Sequence, residues 1–208
     1  MTDLANARPD TVLFDLGNVL VDWNPRHLYT KLFRNRPHEM DWFLTHVCNG
    51  AWNVRHDAGE SFPDNVAALA GQHPWYREEI EAFWHRWPET MKGPIDGSVA
   101  LLEALHARGI PLYALTNWSA ETFHHAEERL PFLSRFRGIT VSGRVKVAKP
   151  DPRIFEICQQ THGLDPARTL FVDDSQRNTT AAATLGYHVH TFTAPDALND
   201  CLRQHGLL

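Results

Sequence analysis

The chain has 208 residues, enough for one ample core or for one domain carrying a smaller insertion. Its net charge of −5 and 43% hydrophobic content are those of an ordinary globular protein, and without a basic surplus nucleic acid is not an expected partner. No apolar run approaches the roughly 18 residues of a membrane span, the opening MTDLANARPD lacks the apolar middle of a leader, and three well-separated cysteines (Cys48, Cys158, Cys201) suit reduced thiols of a cytoplasmic protein.

In chain order, TVLF at 11–14 is a short apolar strand that runs into Asp15. From about 23 to 92 the pattern is helical, through RHLYTKLFRN, PHEMDWFLTHV, PDNVAALAGQ and YREEIEAFWHRW, with no convincing strand. Six of the seven tryptophans lie in this segment and are expected to build its core, some of them lining a pocket. From Gly97 helices and strands alternate. GSVALLEALHARG is a helix closed by Gly109, IPLYALTN a strand, SAETFHHAEERL a helix and FRGITVSG a weak strand and turn. DPRIFEICQQTHG is a helix with an Asp-Pro start and a stop at Gly163. TLFVDD is a strand, SQRNTTAAATLG a helix, YHVHTF a strand, and TAPDALNDCLRQHG a last helix with a Thr-x-x-Asp cap. The expected fold is a doubly wound parallel α/β sheet. Residues 1–22 and 93–208 would form its core, and residues 23–92 a helical insertion after the first strand.

Three of these strands change from apolar to polar at their carboxyl ends, where open parallel sheets bind ligands. They end in Asp15, in Thr116–Asn117 and in Asp173–Asp174, and Lys149 in VAKPD precedes a helix start between the second and third. Right-handed crossovers bring all four groups to one edge. Three carboxylates together repel unless a cation neutralises them, and oxygen ligands at such an edge suit Mg²⁺. Lys149, the Thr116 hydroxyl and the backbone N–H groups after it suit a phosphoryl group. Asp15 can serve as a nucleophile through an acyl-phosphate.

With FDLGN, ALTN, AKPD and VDDSQRN in this order, the chain resembles the haloacid dehalogenase (HAD) superfamily over nearly its whole length. The resemblance implies a Rossmann-like core with a C1-type cap at 23–92. It makes Asp15 the nucleophile and a ligand of Mg²⁺. The Gly17 backbone carbonyl, Asp173 and Asp174 complete the metal ligands. Thr116 would hydrogen-bond the phosphoryl oxygens with help from the Asn117 backbone, and Lys149 would bridge nucleophile and phosphate. Asn178 would be structural.

The chain departs from the resemblance at Gly17, where the family's phosphatases carry a second aspartate that protonates the leaving oxygen and then activates water. General acid–base help is worth about 10²–10⁴-fold. The opening DLGNV is similar to a subgroup with sugar-1-phosphate phosphatases, whose leaving groups need less protonation. The expected function is a Mg²⁺-dependent phosphatase of a small, sugar phosphate-like metabolite. His56 and Asp57 in VRHDAGE are candidates for the missing proton transfer. Trp23, Arg26, Trp52, Arg55 and His56 are candidate pocket residues, and Arg26 or Arg55 could meet a substrate anion. The alternatives are a metal-independent 2-haloacid dehalogenase, which the acidic pair at 173–174 disfavours, and a non-catalytic binding protein. No membrane partner is expected, and nothing in the pattern sets an oligomeric state.

Overall fold

A computed structural model describes residues 8–208; the first seven, from the polar opening stretch, lie outside the described residues. Seven strands, eleven α-helices and four short 3-10 helices make up the described residues. The first strand, β1 (Thr11–Phe14), is the middle of a five-stranded sheet. On one side it pairs with β4 (Leu112–Thr116), which pairs with β5 (Gly138–Val141). On the other it pairs with β6 (Thr169–Asp173), which pairs with β7 (His188–Thr191). All four pairings are parallel, so every strand ends at the same edge. The register sets Phe14 beside Ala114 and Val172, so β1, β4 and β6 finish nearly level.

The middle strands read as unbroken apolar runs because both faces are covered. Val12, Leu13 and Phe14 are wholly buried, as are Leu170, Phe171 and Val172. The helices α6 (Asp96–Ala107), α9 (Pro152–His162), α10 (Gln176–Thr184) and α11 (Pro195–Gln204) belong to this α/β layer, with the short α7 (His124–Arg129) and α8 (Ser142–Val145). Asp151 caps α9 by accepting a hydrogen bond from the Arg153 backbone N–H at 2.9 Å, and Gly163 closes it in the left-handed region, as the sequence predicts.

The remaining helices form the segment after β1: α1 (Arg26–Phe33), α2 (Pro37–His46), α3 (Gly50–Asp57), α4 (Phe62–Gln72) and α5 (Arg77–His85). Rings fill its interior. Tyr29 stacks on Phe83 with centroids 6.1 Å apart and meets Phe43 edge-on at 5.0 Å. Trp52 and Trp87 are buried, but Trp42 is 45% and Trp75 93% exposed, so not all the tryptophans are core.

Three local expectations need correction. The helical segment is entered and left through an antiparallel ribbon of β2 (Val21–Trp23) and β3 (Met91–Pro94), which the pattern at 23–92 does not suggest. MKGP has low strand propensity, and backbone pairing alone makes it one. In SAETFHHAEERL only His124–Arg129 is α-helical, because the Ser119 hydroxyl takes the Glu121 N–H at 3.2 Å and holds a turn first. The last helix has Pro195 in its first turn and Ala194 at its capping position, so Thr193 does not cap it.

Candidate active site

The ends of β4, β1 and β6 lie side by side, and the loops after them bring Asp15, Thr116, Asn117, Lys149, Asp173 and Asp174 to one edge. Lys149 is at the centre. Its Nζ donates to the Leu115 carbonyl at 2.7 Å, to Asp173 Oδ2 at 2.7 Å and lies 3.0 Å from Asp15 Oδ1, with the side chain wholly buried. A lysine before proline is ordinarily solvated; this one is drawn inward by two carboxylates. Burial alone would lower its pKa, but Asp15 and Asp173 outweigh burial and hold the ammonium above its ordinary value.

Asp15 Oδ1 also accepts the Leu16 backbone N–H at 2.7 Å, which leaves Oδ2 as its open oxygen. Burial raises the Asp15 carboxyl, Lys149 opposes that rise, and Asp173 and Asp174 add to it. The two acids after β6 are not equivalent. Asp173 is fully buried, and protein donors take both its oxygens: Lys149, the Ser175 N–H at 2.8 Å, and the Asn178 side-chain amide at 2.9 and 3.1 Å. Asp174 is exposed, and its carboxyl is raised by partial burial and by Asp173. Asn178 thus works by holding Asp173.

Asp15, Asp173 and Asp174 each offer a ligand oxygen, all within 4.8 Å of one another. One buried ammonium against three carboxylates leaves negative charge uncompensated, so the residues present fit a hard divalent cation. The Thr116 hydroxyl is buried with no hydrogen-bond partner, a state that costs about 1–3 kcal/mol unless a ligand completes it. The Asn117 side chain has a structural part of its own. Its Nδ2 donates to the Lys149 carbonyl at 3.0 Å and its Oδ1 accepts the Lys149 N–H at 2.8 Å.

A cavity opens between this edge and the helical segment, lined by Gly17, Trp23, Asp57, Phe62, Trp87 and Trp118 among others. Trp23 is there as expected; the other four candidate pocket residues are not. Arg55 is at the surface, paired with Glu60 at 2.7 Å, and Arg26 pairs with Asp41 at 2.7 Å. Trp52 is core. His56 is wholly buried, its ring stacked on Phe62 at 3.9 Å, with neither nitrogen hydrogen-bonded. Burial pushes its pKa down to about 4, so it is neutral and inside. The helix phase explains the exchange. Trp52 and His56, four residues apart, share the core face of α3, while Asn53 and Asp57, also four apart, share the face toward the cavity. Trp118 could have been found from its position directly after ALTN.

A sheet of this order, with carboxylates and a lysine at its carboxyl edge, defines a Rossmann-like hydrolase core. The family described as haloacid dehalogenase-like hydrolase matches residues 9–186, and the chain belongs to it. It is 28% identical to the sesquiterpene phosphatase astK of Aspergillus oryzae over 84% of this chain and 85% of that protein. It is 26% identical to (S)-2-haloacid dehalogenase H-109 of Pseudomonas putida over 77% of this chain and 69% of that one. The HAD family enzyme bt-2542 of Bacteroides thetaiotaomicron has the same fold, at a TM-score of 0.69 and 22% identity, covering 91% of this chain and 95% of its own; it was solved as an aspartate-to-alanine mutant with magnesium and inorganic phosphate. The chain is therefore a hydrolase with phosphatases among its relatives. No helix of the described residues is long and apolar enough to cross a membrane.

Proposed function

We propose that the protein is a Mg²⁺-dependent phosphatase of a small phosphorylated metabolite, working through an aspartyl-phosphate on Asp15. The observation that carries this reading is the charge imbalance at the sheet edge, three carboxylates around one ammonium. Displacing halide with a carboxylate needs no such excess, whereas a cation and a phosphoryl group together use it.

Asp15 Oδ2 would attack phosphorus. Lys149 would steady the attacking carboxylate through Oδ1 and face the incoming phosphoryl oxygens, and Thr116 would donate its unpartnered hydroxyl to one of them. Asp174, Asp15 and the Gly17 carbonyl would hold Mg²⁺. Asp173, whose oxygens are already taken, would set the position of Lys149 and act on the metal only from outside. When bound, Mg²⁺ would neutralise and orient the phosphoryl group.

The helical segment would act as a cap over the site, closing the cavity around the organic part of the ester. Trp23, Phe62, Trp87 and Trp118 offer ring faces to an apolar face of that group. The buried Trp118 indole N–H and Thr122 hydroxyl lack partners, which favours a substrate that also carries acceptor oxygens. A sugar ring and an oxygenated terpenoid both meet this description; astK, by its name, acts on a sesquiterpene. Three free cysteines support a cytoplasmic location.

The test is phosphate release from a panel of phosphorylated metabolites by the purified protein, with Mg²⁺ or with EDTA, alongside halide release from 2-chloropropionate. Phosphate release that EDTA stops is the expected result. Halide release without metal would replace this reading by the dehalogenase.

A further inference from the structure

Gly17 leaves the site without the side chain that would protonate a leaving oxygen, yet a Cβ built there meets nothing within 4 Å. Gly17 lines the cavity that Asp57 also lines, and a Cβ there would have open space. Among the residues lining that cavity, Asp57 is the one acid. Resting on the phosphatase reading above, we propose that Asp57 is a catalytic residue: it protonates the departing ester oxygen and then activates the attacking water.

Three observations support the assignment. First, Asp57 Oδ2 accepts a hydrogen bond from Asn53 Nδ2 at 3.1 Å, which fixes the carboxyl on the cavity face of α3 and leaves Oδ1 for a ligand. Second, the turn beyond Asp57 is docked on the sheet layer. Gly59 has φ +89°, and a Cβ there would lie 2.9 Å from the Gly143 carbonyl and 2.9 Å from Lys146 Cγ. Three residues further on, the Phe62 N–H donates to Glu121 at 2.7 Å, in the loop that follows Asn117. Asp57 is thus held against the same loops that carry the phosphoryl-binding groups. Third, burial raises its carboxyl to about 7, with Lys149 the opposing charge, so both protonation states are available near neutrality.

The balance is as follows. Asp15 Oδ2 forms a bond to phosphorus as the ester P–O bond breaks. The electron pair of that bond stays on the leaving oxygen, which takes the proton of Asp57 and departs as an alcohol. The Asp57 carboxylate then takes a proton from water as the water oxygen bonds to phosphorus. The P–O bond to Asp15 breaks, releasing inorganic phosphate and restoring both aspartates.

The experiment compares two esters of similar shape: benzyl phosphate, whose alkoxide needs a proton to leave, and p-nitrophenyl phosphate, whose phenolate does not. In Asp57→Asn, kcat/KM for benzyl phosphate should fall about 10²–10⁴-fold, while that for p-nitrophenyl phosphate should fall less than about tenfold. The variant should also release a burst of nitrophenolate equal to the enzyme present, because hydrolysis of the aspartyl-phosphate has lost its base. Adding Gly17→Asp to that variant should restore at least about tenfold on benzyl phosphate. An equal loss on both esters, no loss on either, or no recovery in the double variant overturns the role of Asp57. Absence of phosphate release by the unmodified protein, on both esters and on the metabolite panel, is the separate failure of the phosphatase reading and removes both.

Discussion

The sheet edge and the helical segment solve opposite problems. At the edge, Asp15, Lys149 and Asp173 are ionisable groups in almost complete burial, tolerable because the Lys149 ammonium lies 3.0 Å from Asp15 and 2.7 Å from Asp173. In the helical segment the interior is rings, and its one buried titratable side chain at the Trp52–Phe62 contact, His56, is neutral and unpaired. Charge fixes chemistry in the first, and shape fixes a cavity in the second. A site of this kind needs both, since burial costs charged groups more than it costs rings.

Substitutions that break this contrast should differ widely in effect. Asp15→Asn removes the proposed nucleophile, and turnover should fall by roughly 10⁴-fold or more. The same change relieves repulsion among three carboxylates, so without added metal the melting temperature should stay level or rise. A loss of both activity and stability would make Asp15 a structural residue. Lys149→Met should be the most destabilising single change at the edge. It leaves Asp15 and Asp173 buried without their cation, at about 3–5 kcal/mol in urea unfolding.

On the neutral side, His56 ties stability to pH. Its folded pKa of about 4 lies below the unfolded value of 6.5, so the unfolded chain binds more protons between the two. Stability should therefore fall as pH drops from about 6.5 to about 4, by up to about 3 kcal/mol. His56→Phe, which keeps a ring against Phe62, should flatten that limb of the pH profile in urea titrations. Gly143→Ala should cost about 1–3 kcal/mol, because its Cβ would overlap the Ala120 amide and lie 2.8 Å from the Trp118 carbonyl. The smallest effect belongs to Trp75→Ala, at a ring 93% exposed, where melting should move within about 0.5 kcal/mol of none.

The sheet was legible because period and position carry it. Runs such as TVLF and TLFV are apolar on both faces, and the polar residue that ends each run marks the edge. The site groups Asp15, Thr116 and Asp173–Asp174 follow from that logic, and the structure brings them together with Lys149, which precedes α9. The inequality of Asp173 and Asp174 was not legible, because it depends on Asn178 and Lys149 arriving from different elements. Nor was the choice between His56 and Asp57. Adjacent residues on a helix point about 100° apart, and only the packing of α3 on Phe62 and Phe83 decides which of them faces inward. Arg26 and Arg55 looked like anion binders by charge alone; in the structure each is half exposed and pairs with a neighbouring acid, Asp41 and Glu60.

Asn117 has an implication for how this site can be altered. Its amide uses both ends on the backbone of Lys149, one as donor and one as acceptor. An aspartate of the same shape offers only acceptors, so Asn117→Asp would set a carboxylate oxygen against the Lys149 carbonyl. The strand-end turn and the lysine loop would come unlatched together. Thr116 can thus be exchanged as an isolated part, but Asn117 is a coupling, and redesign of either loop must carry the other with it.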